Sequence, residues 1–426
     1  MDVVTRAEPR SPAVGAAAAG PAADAARLLV ISPGHYLWDE RVLRTLDAAR
    51  RLHRCVLALD RGMFAAARPE DVARVRDRFG GEVDMVLLPH WPRARGVARL
   101  TRHLYVRRIV RQAAALAPDV VNVHESGILG LMIAAGVRRA LPRARIILDY
   151  HDWIPDEVAQ SVRNVRALYG PAMAAWMPRL RRMARAVDVA VCISPGQAAW
   201  MRDALGVRRT AVVQNVRPAP RALPAGRAEF RRELVWAGHV MRIRRLEGVI
   251  DALALLRAQG VDATFSVFGD PTEPDYVQEL RDYARRLGVH DALAFHGRFR
   301  SDADLAARLG PGAIGVHPAH AERLPTGINR ITSGNKFFTY LALGLPVLLD
   351  ASFENMLGIA REGGAGEAYA DAASCAAAAR RIWDTPGLWE RMSAGARTLA
   401  HAYSAEAAVD VLEALFRDTA PAGARG

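Results

Sequence analysis

The sequence predicts an α/β protein made of two doubly wound, Rossmann-like domains, and three observations carry that expectation. From Leu28 onward, short apolar segments rich in β-branched residues alternate with amphipathic stretches of roughly ten to fifteen residues, the rhythm of a parallel sheet covered by helices. The rhythm stops at Arg217 to Gly226, where Pro218, Pro220 and Pro224 fall in a segment without periodicity, and then restarts. With 426 residues, 51% of them hydrophobic, the chain is long enough to fill two ordinary domains, each with its own core.

In chain order, residues 1–26 are alanine, glycine and proline with scattered charges and lack the leucine-rich stretch of an export signal, so they read as a disordered leader. The amino-terminal domain, 27–216, is expected to hold strands at Leu28 to Ile31, Cys55 to Leu59, Met85 to Leu88, Val120 to Val123, Ile146 to Asp149, Val189 to Ile193 and Ala211 to Val213. A linker at 217–226 leads to a carboxy-terminal domain, 227–402, with strands at Leu234 to Ala237, Thr264 to Phe268, Leu293 to Phe295, Ala313 to Val316 and Pro346 to Leu349. A helix over Asp275 to Leu287 aligns Val277, Leu280, Ala284 and Leu287 on one stripe and ends at Gly288. Residues 403–426 are expected to form a helix, Ser404 to Phe416, that returns to the first domain, and a tail. Two such domains in tandem are expected to turn their strand ends toward a shared cleft.

The formal charge of +13 suits nucleic acid, an anionic membrane or a phosphorylated substrate, but acids are interspersed through most of the chain, so charge alone selects none of them. One stretch differs. No acid occurs between Asp84 and Asp119, while Arg93, Arg95, Arg99, Arg102, Arg107, Arg108 and Arg111 accumulate beside Trp91, Val97, Leu100, Leu104 and Ile109. This basic amphipathic segment, 93–111, fits docking on anionic lipid about as well as it fits a solvated helix. Nucleic acid is disfavoured, because aromatic side chains do not interleave with the arginines. No apolar run approaches the roughly 20 residues that cross a bilayer. Cys55, Cys192 and Cys375 show no metal-ligand spacing and read as buried thiols of a reducing compartment. The expected location is therefore cytoplasmic, with a peripheral position at the inner face of the plasma membrane as its extension.

Of 58 basic side chains, Lys336 is the only lysine. In so arginine-rich a chain, a single retained lysine points to chemistry that a planar guanidinium does not supply, such as a compact ammonium against a phosphate oxygen; chance retention at an exposed helix start explains it about equally well on its own.

Several ordered blocks decide between these readings. DERVLRTLDAARRL (Asp39 to Leu52), PDVVNVHE (Pro118 to Glu125), ILDYHDWIPDE (Ile147 to Glu157), VDVAVCISPGQAAWM (Val187 to Met201), LVWAGHVMRIRRLEGVIDAL (Leu234 to Leu253), FSVFGD (Phe265 to Asp270) and GNKFFTYLALGLPVL (Gly334 to Leu348) together resemble the family 4 retaining glycosyltransferases of the GT-B fold, from about Leu28 to Phe416. The resemblance implies a metal-independent enzyme without a cofactor, moving a hexosyl unit from a nucleotide-sugar donor to a hydroxyl acceptor, lipid-linked in some settings, of envelope, polysaccharide or secondary-metabolite type. Two other readings stay open: a non-catalytic paralogue that binds a glycan or partners another transferase, and a sugar-nucleotide epimerase on the same scaffold.

Physical reading of the blocks names the candidate site. A diphosphate is met most simply by a helix start with free amides and a cation, which the turn Ser333, Gly334, Asn335, Lys336 offers, with Ser333 as the cap. The resemblance places the distal phosphate on the amides of Gly334 and Asn335, and puts His239 and Arg244 where the family usually has arginine and lysine; Arg242 and Arg245 flank Arg244. It also exposes a departure: Thr339 and Ile331 stand where the family presents glutamates, the later of which holds the ribose. Backbone near Gly297, Arg298 and Phe299 and the loop at Gly34 are expected to select base, sugar and phosphate. For the chemistry, His124 and Glu125 follow a strand's carboxyl end, and the family's matching histidine lies near the anomeric carbon. Asp149, His151 and Asp152 either line the acceptor pocket or cap the next helix. Asp302 and Asp304 follow Ser301 at a helix start, where acids favour the dipole, so no metal is predicted.

Overall fold

The computed structural model describes residues 26–34, 39–67, 69–90, 97–125, 127–218, 229–319 and 326–419. The chain divides into two compact units, one running to Gln214 and resuming at Ala408, the other Asn215–Ala407.

The first unit holds a seven-stranded sheet of β1 (Arg27–Ser32), β2 (Arg54–Asp60), β3 (Val83–Leu88), β4 (Val120–Val123), β5 (Arg145–Tyr150), β6 (Val189–Cys192) and β7 (Arg209–Val212), in the order β3-β2-β1-β4-β5-β6-β7. Every pairing is parallel. All seven strands lie where the sequence places them. Leu28, Val30, Val121, Val123, Ile146 and Leu148 are fully or almost fully buried, as expected for strands covered on both faces.

The second unit holds β8 (Arg232–Ala237), β9 (Ala263–Phe268), β10 (Leu293–Gly297), β11 (Ala313–His317), β12 (Val347–Asp350) and β13 (Gly366–Tyr369), in the order β10-β9-β8-β11-β12-β13, again all parallel. Five of the six match expectation. The sixth, β13, reads GEAY, an edge strand without β-branched residues, and only Tyr369 in it is buried. Its core gathers Trp236, Leu234, Phe265, Ile250, Leu253 and Tyr276.

The helix expected over Asp275 to Leu287 spans Pro274–Arg286 and turns at Gly288, whose φ is +71°. Its inner stripe holds Leu280 and Ala284 as expected, with Val277 packed against the core, and gains Tyr276, whose hydroxyl donates to Glu247 at 2.7 Å; Leu287 is the correction, 40% exposed. The last helix, Ala405–Thr419, contributes Phe416 to the first unit, edge-on to His53 with ring centroids 6.3 Å apart, and Glu413 pairs with Arg51 at 2.9 Å. Of the proline-rich segment, Arg217 bridges Ser404 and pairs with Asp302 at 2.8 Å, while residues 219–226 lie outside the described residues, as do residues 1–25 of the leader. The three cysteines are buried with free thiols pushed up to about 12 by burial, so they are inert. No described helix is long and apolar enough to cross a membrane.

Candidate functional site

In a doubly wound sheet, ligands collect beyond the carboxyl ends of the strands where the order reverses. In the second unit that point lies between β8 and β11. β8 runs out into Gly238 and His239, β11 ends at His317, and the helix Asn335–Ala342 starts beside them. Gly334 is that helix's N-cap, with no side-chain cap, so Ser333 does not cap it as expected: Ser333 lies one residue outside, 2% exposed. A Cβ on Gly334 would lie 3.2 Å from His317 Nε2, which keeps this turn tight against β11. The first-turn amides have no side chain of their own cap to meet.

Lys336 is half-buried, and its Nζ sits 4.9 Å from the centre of the Trp236 ring. Its stem crosses Gly238, where φ is +154° and any Cβ would collide with the lysine methylenes, so that glycine is required twice over. Burial and then the neighbouring Arg244 bring the ammonium's pKa down to about 7. Arg244 closes the turn Arg242–Arg244 and is itself lowered by burial. Two partly desolvated cations held side by side at a helix start form an arrangement that an anion would relieve.

The triple arginine of this loop, which suggests a shared phosphate role for Arg242, Arg244 and Arg245, does not act as one cluster. Arg242 pairs with Glu273 at 2.9 Å and with Glu279, and lies over Tyr276, so it braces the helix Pro274–Arg286. Arg245 is exposed in the left-handed region, φ +51°. His239 and Asn335 are exposed beside the turn. Thr339 is also corrected: it is 5% exposed and its hydroxyl donates to the Asn335 carbonyl at 3.2 Å inside its own helix, so it does not face a ribose. Ile331 is buried in the short helix Ile328–Ile331. Gly297, at φ +68°, accepts from the Gly269 amide at 2.8 Å, Arg298 is 80% exposed 3.8 Å from Asp270, and Phe299 is half-buried. They end β10, two strand positions from β8, roughly 10 Å away. Ser301 caps the helix Asp302–Arg308, with Asp304 on Arg308 and Asp302 on Arg217.

In the first unit the order reverses between β1 and β4. His124 follows β4, fully buried, with its amide donating to the Ile31 carbonyl at 2.8 Å. Asp149, near the end of β5, gathers three partners. Arg41 Nε donates to it at 2.8 Å, His151 Nδ1 lies at 3.0 Å and His124 Nδ1 at 3.6 Å. Arg41 comes from the helix Glu40–Ala49, which Asp39 caps, and also donates to the Val213 carbonyl at 2.9 Å. Burial alone would raise the Asp149 carboxyl; Arg41, His124 and His151 outweigh it and hold it well below its usual range. Burial and then Arg41 bring Arg44 down to about 10. The ligand atoms of His124, Asp149 and His151 lie within 4.8 Å of one another, but the Arg41 guanidinium already occupies the carboxylate oxygen that His151 shares, which makes the cluster an ion-pair network. The His124 imidazole is fully buried against Asp149, while His151, 12% exposed, is the ring nearer the surface. Asp152 is exposed and does not cap the helix Ile154–Ser161, whose N-cap is Trp153. Gly34 follows β1, and residues 35–38 of its loop lie outside the described residues.

Sequence reasoning missed a cavity of about 170 Å³ in this unit, lined by Pro33, Asp60, Met63, His90, Tyr105, Glu125 and Leu129. Asp60, 3% exposed at the end of β2, caps the helix Arg61–Ala65 through the Gly62 amide at 2.8 Å, faces His90 Nδ1 at 2.8 Å and accepts from the Tyr105 hydroxyl at 3.3 Å. Apolar walls with two carboxylates and an imidazole suit a sugar ring, whose C–H faces and hydroxyls need both. An acid directly after an apolar strand was the available signal.

Glu157 is a second, half-buried acid of this unit with a shifted carboxyl. Its carboxylate accepts from the Ile128 amide at 3.3 Å at the start of the helix Gly127–Ala140, and a Cβ on Gly127, at φ +71°, would strike it. Burial, with Asp152 adding to it, raises its pKa to about 7. A raised carboxyl contributes stability below its unfolded pKa and loses it as pH climbs through the folded value. Glu157→Gln is therefore expected to stabilise the protein at pH 8 by on the order of 1–2 kcal/mol, with little effect near pH 4.5, as read from urea unfolding at the two pH values.

Comparison with known proteins places this geometry. The family model Glycosyltransferase Family 4 matches residues 40–216, and the model Glycosyl transferases group 1 matches residues 231–385. A lipopolysaccharide core biosynthesis glycosyltransferase, LpsD of Rhizobium meliloti (strain 1021), is 26% identical over 331 residues, 73% of this chain and 89% of that one. Among solved structures, Anabaena HepE in complex with UDP superposes with a TM-score of 0.66 at 16% identity, over 92% of this chain and 100% of that one. The apo lipopolysaccharide outer core galactosyltransferase WaaB superposes with a TM-score of 0.64 at 12% identity, over 92% and 99%.

Proposed function

Since the chain belongs to the GT-B glycosyltransferases, joining a family 4 module to a group 1 module, we propose that it transfers a sugar from a nucleoside diphosphate donor to a hydroxyl of an envelope glycan. The observation that carries the donor assignment is the paired cation site, Lys336 beside Arg244 at an uncapped helix start. The complex of HepE with UDP and the name of LpsD support the donor and acceptor classes.

In this reading the first-turn amides of Gly334 and Asn335 and the Lys336 ammonium take the distal phosphate, Arg244 the other, and His239 borders them. The base extends toward Gly297, Arg298 and Phe299. Two fixed cations carry the charge that develops on the leaving diphosphate, so the reaction is read as metal-independent. Asp149 is committed to Arg41 and is not available as a nucleophile. We read the transfer as retaining: the acceptor oxygen bonds to the anomeric carbon on the face the diphosphate leaves, the carbon–oxygen bond to phosphate breaks, and the acceptor proton passes to the departing phosphate oxygen. The acceptor sugar occupies the Asp60, His90, Glu125 cavity, with His151 and Asp152 on its approach.

The test is nucleoside diphosphate release from a panel of nucleotide sugars, with and without oligosaccharide acceptors, and with a chelator present. Asp60→Asn is expected to raise the acceptor KM by roughly tenfold, the weight of one hydrogen bond to a charged group, with slow donor hydrolysis unchanged. Release that never responds to acceptor, or interconversion of the free nucleotide sugar, would sink the transferase reading; an inverted anomeric centre in the product would sink the retaining one.

A further inference from the structure

The helix Arg166–Ala184 is built unlike an ordinary surface helix. No charge occurs from Ala167 to Pro178, and this run is bracketed by Arg163 and Arg166 before it and Arg179, Arg181, Arg182 and Arg185 after it. No acid occurs from Val158 to Val187. The inward stripe, Tyr169, Met173, Trp176, Leu180 and Ala184, packs toward the helices Gly127–Ala140 and Ile154–Ser161. The outward face carries Leu168, 52% exposed, with Pro171, Ala174, Ala175 and Pro178 also exposed, and Val165 at 45% just ahead of it.

A helix on water normally turns charged residues outward. Here both faces of the middle section are apolar, and the cations stand at its ends, where long side chains can lie along an apolar surface and keep their heads among phosphates. Among the described residues no carboxylate pairs with Arg166, Arg179, Arg182 or Arg185, so these charges are not consumed within the fold. The helix Val97–Leu116 flanks the same helix Gly127–Ala140, carries no acid, and exposes Leu104, Arg107, Arg108 and Arg111 around an inner stripe of Tyr105, Ile109 and Ala113. Of the basic segment noted in the sequence, Arg93 and Arg95 lie outside the described residues.

We propose that the helix Arg166–Ala184 lies in the surface of an anionic phospholipid bilayer, its Leu168, Pro171 and Ala175 face among the acyl chains and its flanking arginines on headgroup phosphates. The assignment does not rest on the nucleotide or acceptor readings. Full-length protein is expected to co-sediment with vesicles of phosphatidylglycerol and phosphatidylethanolamine, much less with phosphatidylcholine, and to be released by salt. Arg179→Gln with Arg182→Gln should weaken binding on the order of 30-fold. Leu168→Asp with Ala175→Asp should abolish it, with circular dichroism and nucleoside diphosphate binding unchanged, since both positions are exposed. The proposal is overturned if wild type ignores anionic vesicles, if both variants bind as wild type does while Arg107→Gln with Arg111→Gln does not, or if wild type is a dimer that Leu168→Asp splits without any vesicle binding.

Discussion

Lys336→Ala is expected to weaken nucleoside diphosphate binding by roughly 10- to 100-fold, the loss of one charge-assisted contact to phosphate, with the fold intact. The measurement is a thermal-shift and calorimetric titration with a panel of nucleoside diphosphates, in which a ligand that binds only the native state raises the melting temperature. The pH dependence identifies the lysine as the cause. Its pKa of about 7 lies below the usual lysine value, so between the two the unfolded chain holds more protons and the unliganded protein gains stability as pH rises. A bound phosphate favours the ammonium and restores the higher pKa, so binding above pH 7 takes up a proton and weakens as pH climbs toward 9. The variant should show a flatter profile and no buffer-dependent heat from this group. An alanine variant that binds as wild type does, with the same slope, would remove Lys336 from the donor site and leave Arg244 and the helix start without their strongest partner.

What the sequence offers of the candidate donor site follows from its locality. Gly334, Asn335 and Lys336 are consecutive, and the loop after β8 holds His239 and Arg244, so one helix start and one strand end suffice to suggest the site. The parallel strands were legible because burial on both faces demands continuous apolar runs; β13 escaped because an edge strand does not. What could not be read was assembled by tertiary contact. Arg41 and Asp149 are 108 positions apart, and Asp60 meets His90 and Tyr105 from two other elements. Orientation was equally hidden. Thr339 stands at a position that suggests a ribose, and only the structure turns its hydroxyl back onto the Asn335 carbonyl. Trp236 is fully buried in the core, yet its ring also faces the lysine.

Arg41→Ala is expected to cost the first unit about 3–5 kcal/mol, because it strands Asp149 inside the protein without its principal counter-charge. Hydrogen exchange at the amides of β4 and β5 should accelerate well before that of β8 and β11, since the pair lies wholly within the first unit. Asp149→Asn removes the charge and keeps the shape, but leaves the Arg41 guanidinium buried, 7% exposed, so it should also destabilise. Arg41→Met combined with Asp149→Asn leaves neither charge alone, and should recover much of what each single change loses. The acid limb gives an independent reading. The folded Asp149 pKa is depressed, so its contribution is present above the unfolded value and disappears as pH falls through the folded one. Without Arg41 the folded value rises, and the acid-induced loss should begin at a higher pH than in wild type. If Arg41→Ala keeps the wild-type acid limb and the double variant is no more stable than either single one, Arg41 serves the fold through its Val213 carbonyl contact and not as the counter-charge.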